Sequence, residues 1–487
     1  MFLHVRKISS LAATTAALVT TVPYCLAQEV QLPFGTVQMD GDLPARSAIP
    51  GLFSQLDFQQ ATQAYLWALP LVAYAQWQKE SVDKFGARTG DLVVYTTWKD
   101  KLGILTANAT TPYILGFAEL DKSGPLVIDM PAGPTAGGVG DFWQRAIVDM
   151  GQTGPDKGRG GRYLIIPPGA QAPANTQGYY VARSETNSVL LGFRVLEQDP
   201  AKAKAIVSQI KVYRYSERAH PAAGRFLTPG GTDWSGTQPD GMEYWQRLWE
   251  IIQREPVNER DRFYMAMLAN LGVEKGKPFE PNTLQRKALQ QGAAAGKLFA
   301  ETNTFAKRFA NVRHWPDRHW EYALFIADPS QRVANFDQLW ERTAWFYEAV
   351  TDTKGMISTT PGLGQAYLGA YTDSGDAWLD GGKNYHLHIA PNPPAKQFWS
   401  LTVYDTATRR FVENARQKSD VSSREQLQKN ADGSVDLYFG PQAPAGKESN
   451  WVQTVAGKHW FTYFRLYGPT EAYFDKNWKM SDIQPGD

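Results

Sequence analysis

Apolar and polar positions along this chain follow two periods in turn. Over residues 58–82 (FQQATQAYLWALPLVAYAQWQKESV) apolar residues recur at helical spacing, and Pro70 predicts a kink in one helix or a break between two. From Asp91 the period shortens. Strand-like runs at 92–98, 113–119, 126–130, 145–148, 162–166, 178–182 and 189–195 are separated by turn signals such as Asp121-Lys122-Ser123-Gly124 and Pro167-Pro168-Gly169. Many short strands between Gly/Pro turns predict an antiparallel sandwich or barrel. Helical spacing returns at 201–210, 241–254, 258–271, 283–309 and 336–350. Within it, Trp245 and Trp249 are four apart and share a face, and Ala293-Ala294-Ala295 suits a closely packed helix. Strands are expected again at 385–389, 398–403, 435–439 and 460–466, with Asp432-Gly433 as a hairpin turn.

The pattern gives an α+β fold class: two antiparallel β-sandwich or jelly-roll-like domains with a helix-rich segment between them. The boundaries read from it are a 28–55 extended arm, a 56–200 β-rich domain with a leading helix, a 201–355 helix-rich segment and a 356–487 C-terminal sandwich. Residues 1–27 have the layout of a secretory signal peptide. Arg6 and Lys7 precede an apolar 8–22 run, and Cys25-Leu26-Ala27 places cleavage after Ala27. The run is too short and too rich in Ala and Thr to span a bilayer as a mature helix. The expected address is periplasmic or secreted.

Composition narrows the chemistry. Cys25 is the only cysteine and lies inside the signal, so the mature chain has no disulfide, thiolate nucleophile or Cys-ligated metal. A net charge of +1 gives no pull toward nucleic acid. The 16 Trp, 22 Tyr and 23 Phe are a high aromatic load, which fills sandwich cores and also lines pockets for sugars or aromatic molecules.

The block GDFWQRAIVDMGQTGPDKGRGGRYLIIPPG at 140–169 resembles a bacterial domain of unknown function catalogued as twelve-fifty-four. The last third resembles its usual companion, twelve-fourteen, through LDGGKNYHLHIAPNPPAKQFWSLTVY at 379–404, Asn414, Ser422-Ser423-Arg424, Asn450-Trp451 and Arg465-Leu466-Tyr467. The resemblance implies β-sandwich-like domains with helices and an exported address, and no chemistry. Many members carry Asn-x-Asp-Thr-Leu-Tyr before the first block. This chain reads Asn108-Ala109-Thr110-Thr111-Pro112-Tyr113 and lacks that Asp.

Five constellations carry candidate chemistry. In 154–161 (GPDKGRGG), glycine N–H groups with Lys157 and Arg159 could cradle an anion, or form a surface loop needing positive φ. Asp141, Trp143 and Arg145 alternate, so on a strand they would share one face and hold a polar substrate, or form an ion pair beside a core Trp. Asp149 and Asp156 could add a carboxylate pair for acid/base work. His386 and His388 project from one strand face and are weak metal candidates with no third ligand. Trp399 and Tyr404 lie on opposite faces of the 398–405 strand; the Tyr404 face, with Ser400 and Thr402, could line a pocket with hydroxyls, or the strand is a central one buried on both sides. In 313–320, Arg, His and Trp cluster as a pocket-closing loop or as packing at a domain junction.

The function expected is an exported enzyme, a hydrolase, acting on a small polar or aromatic molecule at the domain junction. Asp141, Arg145, Asp149 and Tyr404 are the expected catalytic residues; Trp143, Asp156, Lys157 and Trp399 are the expected substrate or anion contacts. No cofactor is evident. The partners expected are a small-molecule substrate or a saccharide, without nucleic acid or a membrane span in the mature chain. The alternative is a non-catalytic carbohydrate- or envelope-component-binding protein, or a structural envelope factor.

Overall fold

The computed structural model describes residues 28–486. The signal segment and Cys25 lie outside the described residues. Chain contacts separate residues up to Leu56 from Asp57 onward. In the first unit the expected extended arm is instead a three-stranded antiparallel sheet, β1 (Glu29–Leu32), β2 (Gly35–Asp40) and β3 (Leu43–Pro44). Its strands are so short that alternation cannot emerge. Its reversals rest on Gly35 and Gly41, both at positive φ.

Helix α1 (Ile49–Phe85) is continuous through Pro70. A proline has no N–H for the carbonyl four residues back. That carbonyl, on Leu66, lies 3.4 Å from Thr343 Oγ1, and the Trp67 carbonyl accepts from Arg342. Tertiary partners thus satisfy what the proline leaves open.

The first sandwich comprises β4 (Leu92–Tyr95), β5 (Tyr113–Glu119), α2 (Leu120–Ser123), β6 (Leu126–Met130), β7 (Thr135–Asp141), β8 (Ala146–Gly151), β9 (Gly161–Ile166), β10 (Tyr179–Arg183), β11 (Ser188–Val195), α3 (Pro200–Val207), β12 (Lys211–Arg214) and β13 (Phe226–Leu227). Its two sheets run β10-β9-β6-β12 and β13-β4-β5-β11-β7-β8. Ile114, Val139, Leu191 and Phe193 of the six-stranded sheet meet Ile128, Tyr163 and Ile165 of the other in one core. The sheets are mixed, because β10 pairs parallel to β9 and β13 parallel to β4.

Helices α4 (Gly241–Arg254), α5 (Arg262–Asn270) and α6 (Thr283–Phe305), strand β14 (Glu321–Tyr322) and helix α7 (Leu339–Glu348) follow. The second sandwich adds β15 (Gln365–Ala370), β16 (Tyr385–Ile389), β17 (Ala395–Asp405), β18 (Asp420–Ser422), β19 (Val435–Gly440), β20 (Trp451–Gln453), β21 (Trp460–Pro469), α8 (Glu471–Phe474) and β22 (Gln484–Pro485). Its sheets run β14-β15-β21-β17-β18 and β20-β19-β16-β22, with Leu368, Leu401, Val403, Phe464, Leu387 and Leu437 between them.

A third core joins everything after residue 57. It takes Tyr95, Leu115, Phe117 and Leu190 from the free face of the six-stranded sheet. It takes Tyr367, Tyr404, Phe461 and Tyr463 from the free face of the five-stranded sheet. Between them lie α1, α4, α6 and α7. Helix α6 sits directly on α1: a Cβ on Gly292 would stand 2.3 Å from Ala61 Cβ. Among the described residues no helix is long and apolar enough to cross a membrane.

Candidate functional site

Alternation along the six-stranded sheet dictates where a cavity forms. Odd-numbered residues of β7 and β11 (Val139, Val189, Leu191, Phe193) fill the sandwich core, so the even-numbered ones face the other way. Those are Ala136, Gly138 and Gly140 on β7, with Gly192 and Arg194 on β11. The register sets Gly192 opposite Gly138 and Arg194 opposite Ala136. Three glycines side by side leave a hollow in the sheet face. The hollow is a cavity of about 110 Å³, closed by Tyr367, Gln397 and Tyr467 of the second sandwich and by the loop after α7. An apolar cavity of roughly 150 Å³ admits benzene, so this smaller one suits a short chain.

One end is cationic and phenolic. Arg194 Nη2 donates to Tyr113 Oη at 2.8 Å, and its guanidinium lies 4.3 Å from the centre of that ring. Arg194 Nη1 is 3.5 Å from both Thr111 Oγ1 and Tyr467 Oη. Behind it, Arg465 donates to Tyr404 Oη at 2.6 Å and to the Thr106 carbonyl at 2.7 Å. The partners of both guanidiniums are neutral oxygens, so their charge is not cancelled by a contacting carboxylate. Asn108 ties the corner: its side-chain N–H₂ donates to Tyr467, and its Oδ1 accepts from Thr110 and Thr111 N–H. The Thr110 hydroxyl is buried with no hydrogen-bond partner among the described residues.

The other wall carries Asp352. Its side chain is 2% exposed, it lines the cavity, and neither carboxyl oxygen has a hydrogen-bond partner among the described residues. Burial, and then the negative charges of Asp328, Asp149 and Asp141, push this carboxyl well above the usual carboxylate range. An isolated buried carboxylate costs far more than a buried carboxylic acid, so this site favours the neutral form of Asp352. Burial likewise holds the neighbouring Tyr74 phenol protonated. No sequence pattern singles out Asp352, a lone acid in a polar loop.

The residues expected from sequence flank this cavity without lining it. Asp149, on β8, accepts from Gly355 N–H at 2.9 Å and Lys354 N–H at 3.3 Å, so it holds the loop that presents Asp352. Asp141, Trp143 and Arg145 do not alternate on one strand. They form the β7–β8 hairpin turn, with Gln144 at φ 62°. There Arg145 Nε donates to Asp141 Oδ2 at 2.7 Å and Arg145 Nη1 pairs with Glu185 at 2.9 Å, so the alternative reading of an ion pair holds. Trp143 is core, its ring 4.7 Å from Trp67, and offers no open platform. Gln144 at the turn's centre donates to the Pro70 carbonyl at 2.9 Å and accepts from Thr351 N–H at 2.8 Å, beside Asp352.

The expected anion cradle is filled from within. The fully buried Asp156 carboxylate accepts from Gly151 N–H at 2.8 Å, Gly160 N–H at 3.2 Å and Tyr163 Oη at 2.6 Å. The loop's own acid takes the place an anion would need, and Lys157 points to solvent. Tyr404 is fully buried, donating to the Ala107 carbonyl at 2.6 Å, one layer behind Arg194's end of the cavity. Trp399 belongs to the second sandwich core on the opposite face of β17. His386 and His388 are exposed; His388 Nδ1 lies 2.7 Å from Asp436. Among the described residues no three His, Cys, Asp or Glu side chains gather as metal ligands. In the 313–320 loop, His314, Trp315 and Trp320 are buried packing.

No curated protein matches the chain at a significant level. A crystal structure of the VPA0106 protein from Vibrio parahaemolyticus superposes with a TM-score of 0.57 at 15% identity, covering 88% of this chain and 100% of that one. That likeness shows a shared fold. A putative uncharacterized protein from Burkholderia cenocepacia matches with a TM-score of 0.41 at 12% identity, over 90% of this chain and 96% of that one. The family described as "Protein of unknown function (DUF1254)" matches residues 93–214, which are strands β4 to β12, and "Protein of unknown function (DUF1214)" matches residues 364–471, from β15 to the start of α8. The chain carries a DUF1254 domain followed by a DUF1214 domain, each centred on one of the two sandwiches, with the helical segment outside both.

Proposed function

We propose that this protein is an exported acid–base enzyme of the hydrolase class, acting on a small carboxylate-bearing molecule in the cavity between the sandwiches. The observation that carries the reading is the Asp352 carboxyl, buried and unpartnered, on a wall of a cavity whose far end holds Arg194. Perturbed acids in closed cavities concentrate at functional sites. Arg194 supplies the charge to receive a substrate carboxylate, with the Tyr113 and Tyr467 hydroxyls beside it to fix orientation. Asp352 donates its proton to the leaving oxygen or nitrogen as the scissile bond breaks. A water adds its hydroxyl to the electrophilic carbon and returns a proton to Asp352, so the acid is restored. The glycine floor sets the size limit.

Export rests on the 1–27 segment, and N-terminal sequencing of protein from a periplasmic fraction should begin at Gln28. For the site, the probe is propionate, a short chain bearing one carboxylate. Propionate should raise the melting temperature increasingly with concentration, and Arg194→Ala should abolish the rise. No rise, or a rise that Arg194→Ala leaves intact, overturns the reading.

A further inference from the structure

A second, larger cleft lies in the C-terminal half and shares no lining residue with the cavity above. It measures about 590 Å³, enough for a molecule of two linked rings by the usual range of ligand sites, roughly 300–1,000 Å³. Its walls come from the C-terminal end of α6, the residues after β15, the end of β17 and the start of β21. Phe305, Tyr371 and Phe461 form its apolar side, stacked or tilted against one another with ring centres 5.3–5.7 Å apart.

Trp378 stands at the mouth. It is 51% exposed, an unusual state for a Trp in a chain that buries most of its large rings. Its backbone is not loose. Thr372 and Trp378 form a β-bridge across a tight turn, and Asp373 Oδ1 accepts from Gly375 N–H at 2.8 Å and Ala377 N–H at 3.1 Å. The ring is therefore offered to solvent on a fixed support, which lowers the entropy cost of using it as a platform.

The opposite side is polar. Asp405 pairs with Lys458 at 3.1 Å and accepts from Thr408 N–H at 2.9 Å. Two lining residues each hold a buried polar group with no hydrogen-bond partner among the described residues: the Trp460 indole N–H and the Thr406 hydroxyl. Trp460 as a whole is 2% exposed. Unsatisfied buried donors carry a cost of about 1–3 kcal/mol each, which a ligand oxygen would relieve.

We propose that this cleft is a saccharide-binding site, in which Trp378 stacks on the C–H face of a sugar ring and Asp405, Lys458 and Thr406 hydrogen-bond its hydroxyls. A fixed exposed indole, a carboxylate–ammonium pair and spare donors around a cleft of two-ring size match a neutral polyhydroxylated ring. A purely apolar ligand would leave the polar side unused, and a single anion would meet Asp405 and Glu301.

The test uses the protein with intact residues 28–487 on an array of soluble di- and trisaccharides built from glucose, mannose, galactose and N-acetylglucosamine, with hits measured by titration calorimetry. At least one sugar should bind saturably. Trp378→Ala should weaken it tenfold or more while circular dichroism and melting stay unchanged, and Trp378→Phe should restore most of the affinity. Arg194→Ala should leave it unaltered, which separates this site from the cavity between the sandwiches. Absence of binding to every sugar overturns the proposal, as does binding that Trp378→Ala leaves intact.

Discussion

The Asp149 carboxylate accepts the Gly355 N–H at 2.9 Å and thereby holds in place the loop that carries Asp352. An acid expected to do chemistry instead positions another acid, which the sequence did not single out. Removing it should loosen the loop. Asp149→Ala deletes the acceptor for two backbone N–H groups, at about 1.5–3 kcal/mol for bonds to a charged group. Hydrogen exchange at 352–356 should rise selectively, and denaturant unfolding should report the loss. Unchanged exchange there would show that Asp149 is not the loop's anchor.

Burial of the Asp352 carboxyl, which favours its neutral form, makes stability fall as pH rises. In the unfolded chain this carboxyl ionises above its ordinary value near 4. In the folded protein burial keeps it protonated well above that value. The unfolded state thus binds fewer protons, and each pH unit above about 4 costs up to about 1.4 kcal/mol until the folded carboxyl titrates. Glu348 acts in the same sense, because burial raises its carboxyl to about 7 against the opposing charge of Lys307. Asp352→Asn removes the first contribution. It should stabilise the protein at pH 8 and have little effect at pH 3.5, as measured by urea unfolding at both.

The 154–161 loop should depend on Asp156 and be indifferent to Lys157. Asp156→Ala strands Gly151 N–H, Gly160 N–H and the Tyr163 hydroxyl. We expect a loss of about 3 kcal/mol or more, summed from costs of about 1–3 kcal/mol per stranded donor. Lys157→Ala, on the surface, should stay within about 0.5 kcal/mol of the parent. Added phosphate should protect neither.

The helix pair α1–α6 has no room for another carbon. In Gly292→Ala the new Cβ would lie 2.3 Å from Ala61 Cβ and 2.9 Å from the Ala61 carbonyl carbon, which cannot rotate away. Overpacking of this kind costs about 1–3 kcal/mol. Gly192→Ala, by contrast, meets Leu115 at an ordinary 3.4 Å. It should fold normally, shrink the cavity and weaken propionate binding. Melting curves and titrations on the two variants separate these effects.

Strands built from β-branched and aromatic residues were legible in the sequence. The 113–119, 126–130 and 385–389 runs and the 241–254 helix coincide with β5, β6, β16 and α4. Strand β7 was not, because Thr135–Asp141 (TAGGVGD) has the composition of a turn. Its glycines reflect close backbone approach: a Cβ on Gly138 would meet the Val148 carbonyl at 2.3 Å. The cavity was hidden for the same reason, since its floor consists of side chains that are not there. The Asp141–Arg145 pair was visible as a unit, but spacing cannot distinguish a strand from a hairpin turn. Asp352 gained its character from burial and from acids 24 to 211 residues away in sequence, which no local pattern records.

The protonation state of Asp352 is the central claim, and a carbon-13 NMR titration of its side-chain carboxyl measures it directly. Aspartate-selective labelling, with Asp352→Asn to assign the signal, would follow the resonance from pH 3 to pH 8. The carboxylic-acid shift should persist through neutral pH, with no inflection near the ordinary value of about 4. A carboxyl that titrates near 4 and is ionised at pH 7 would contradict the account.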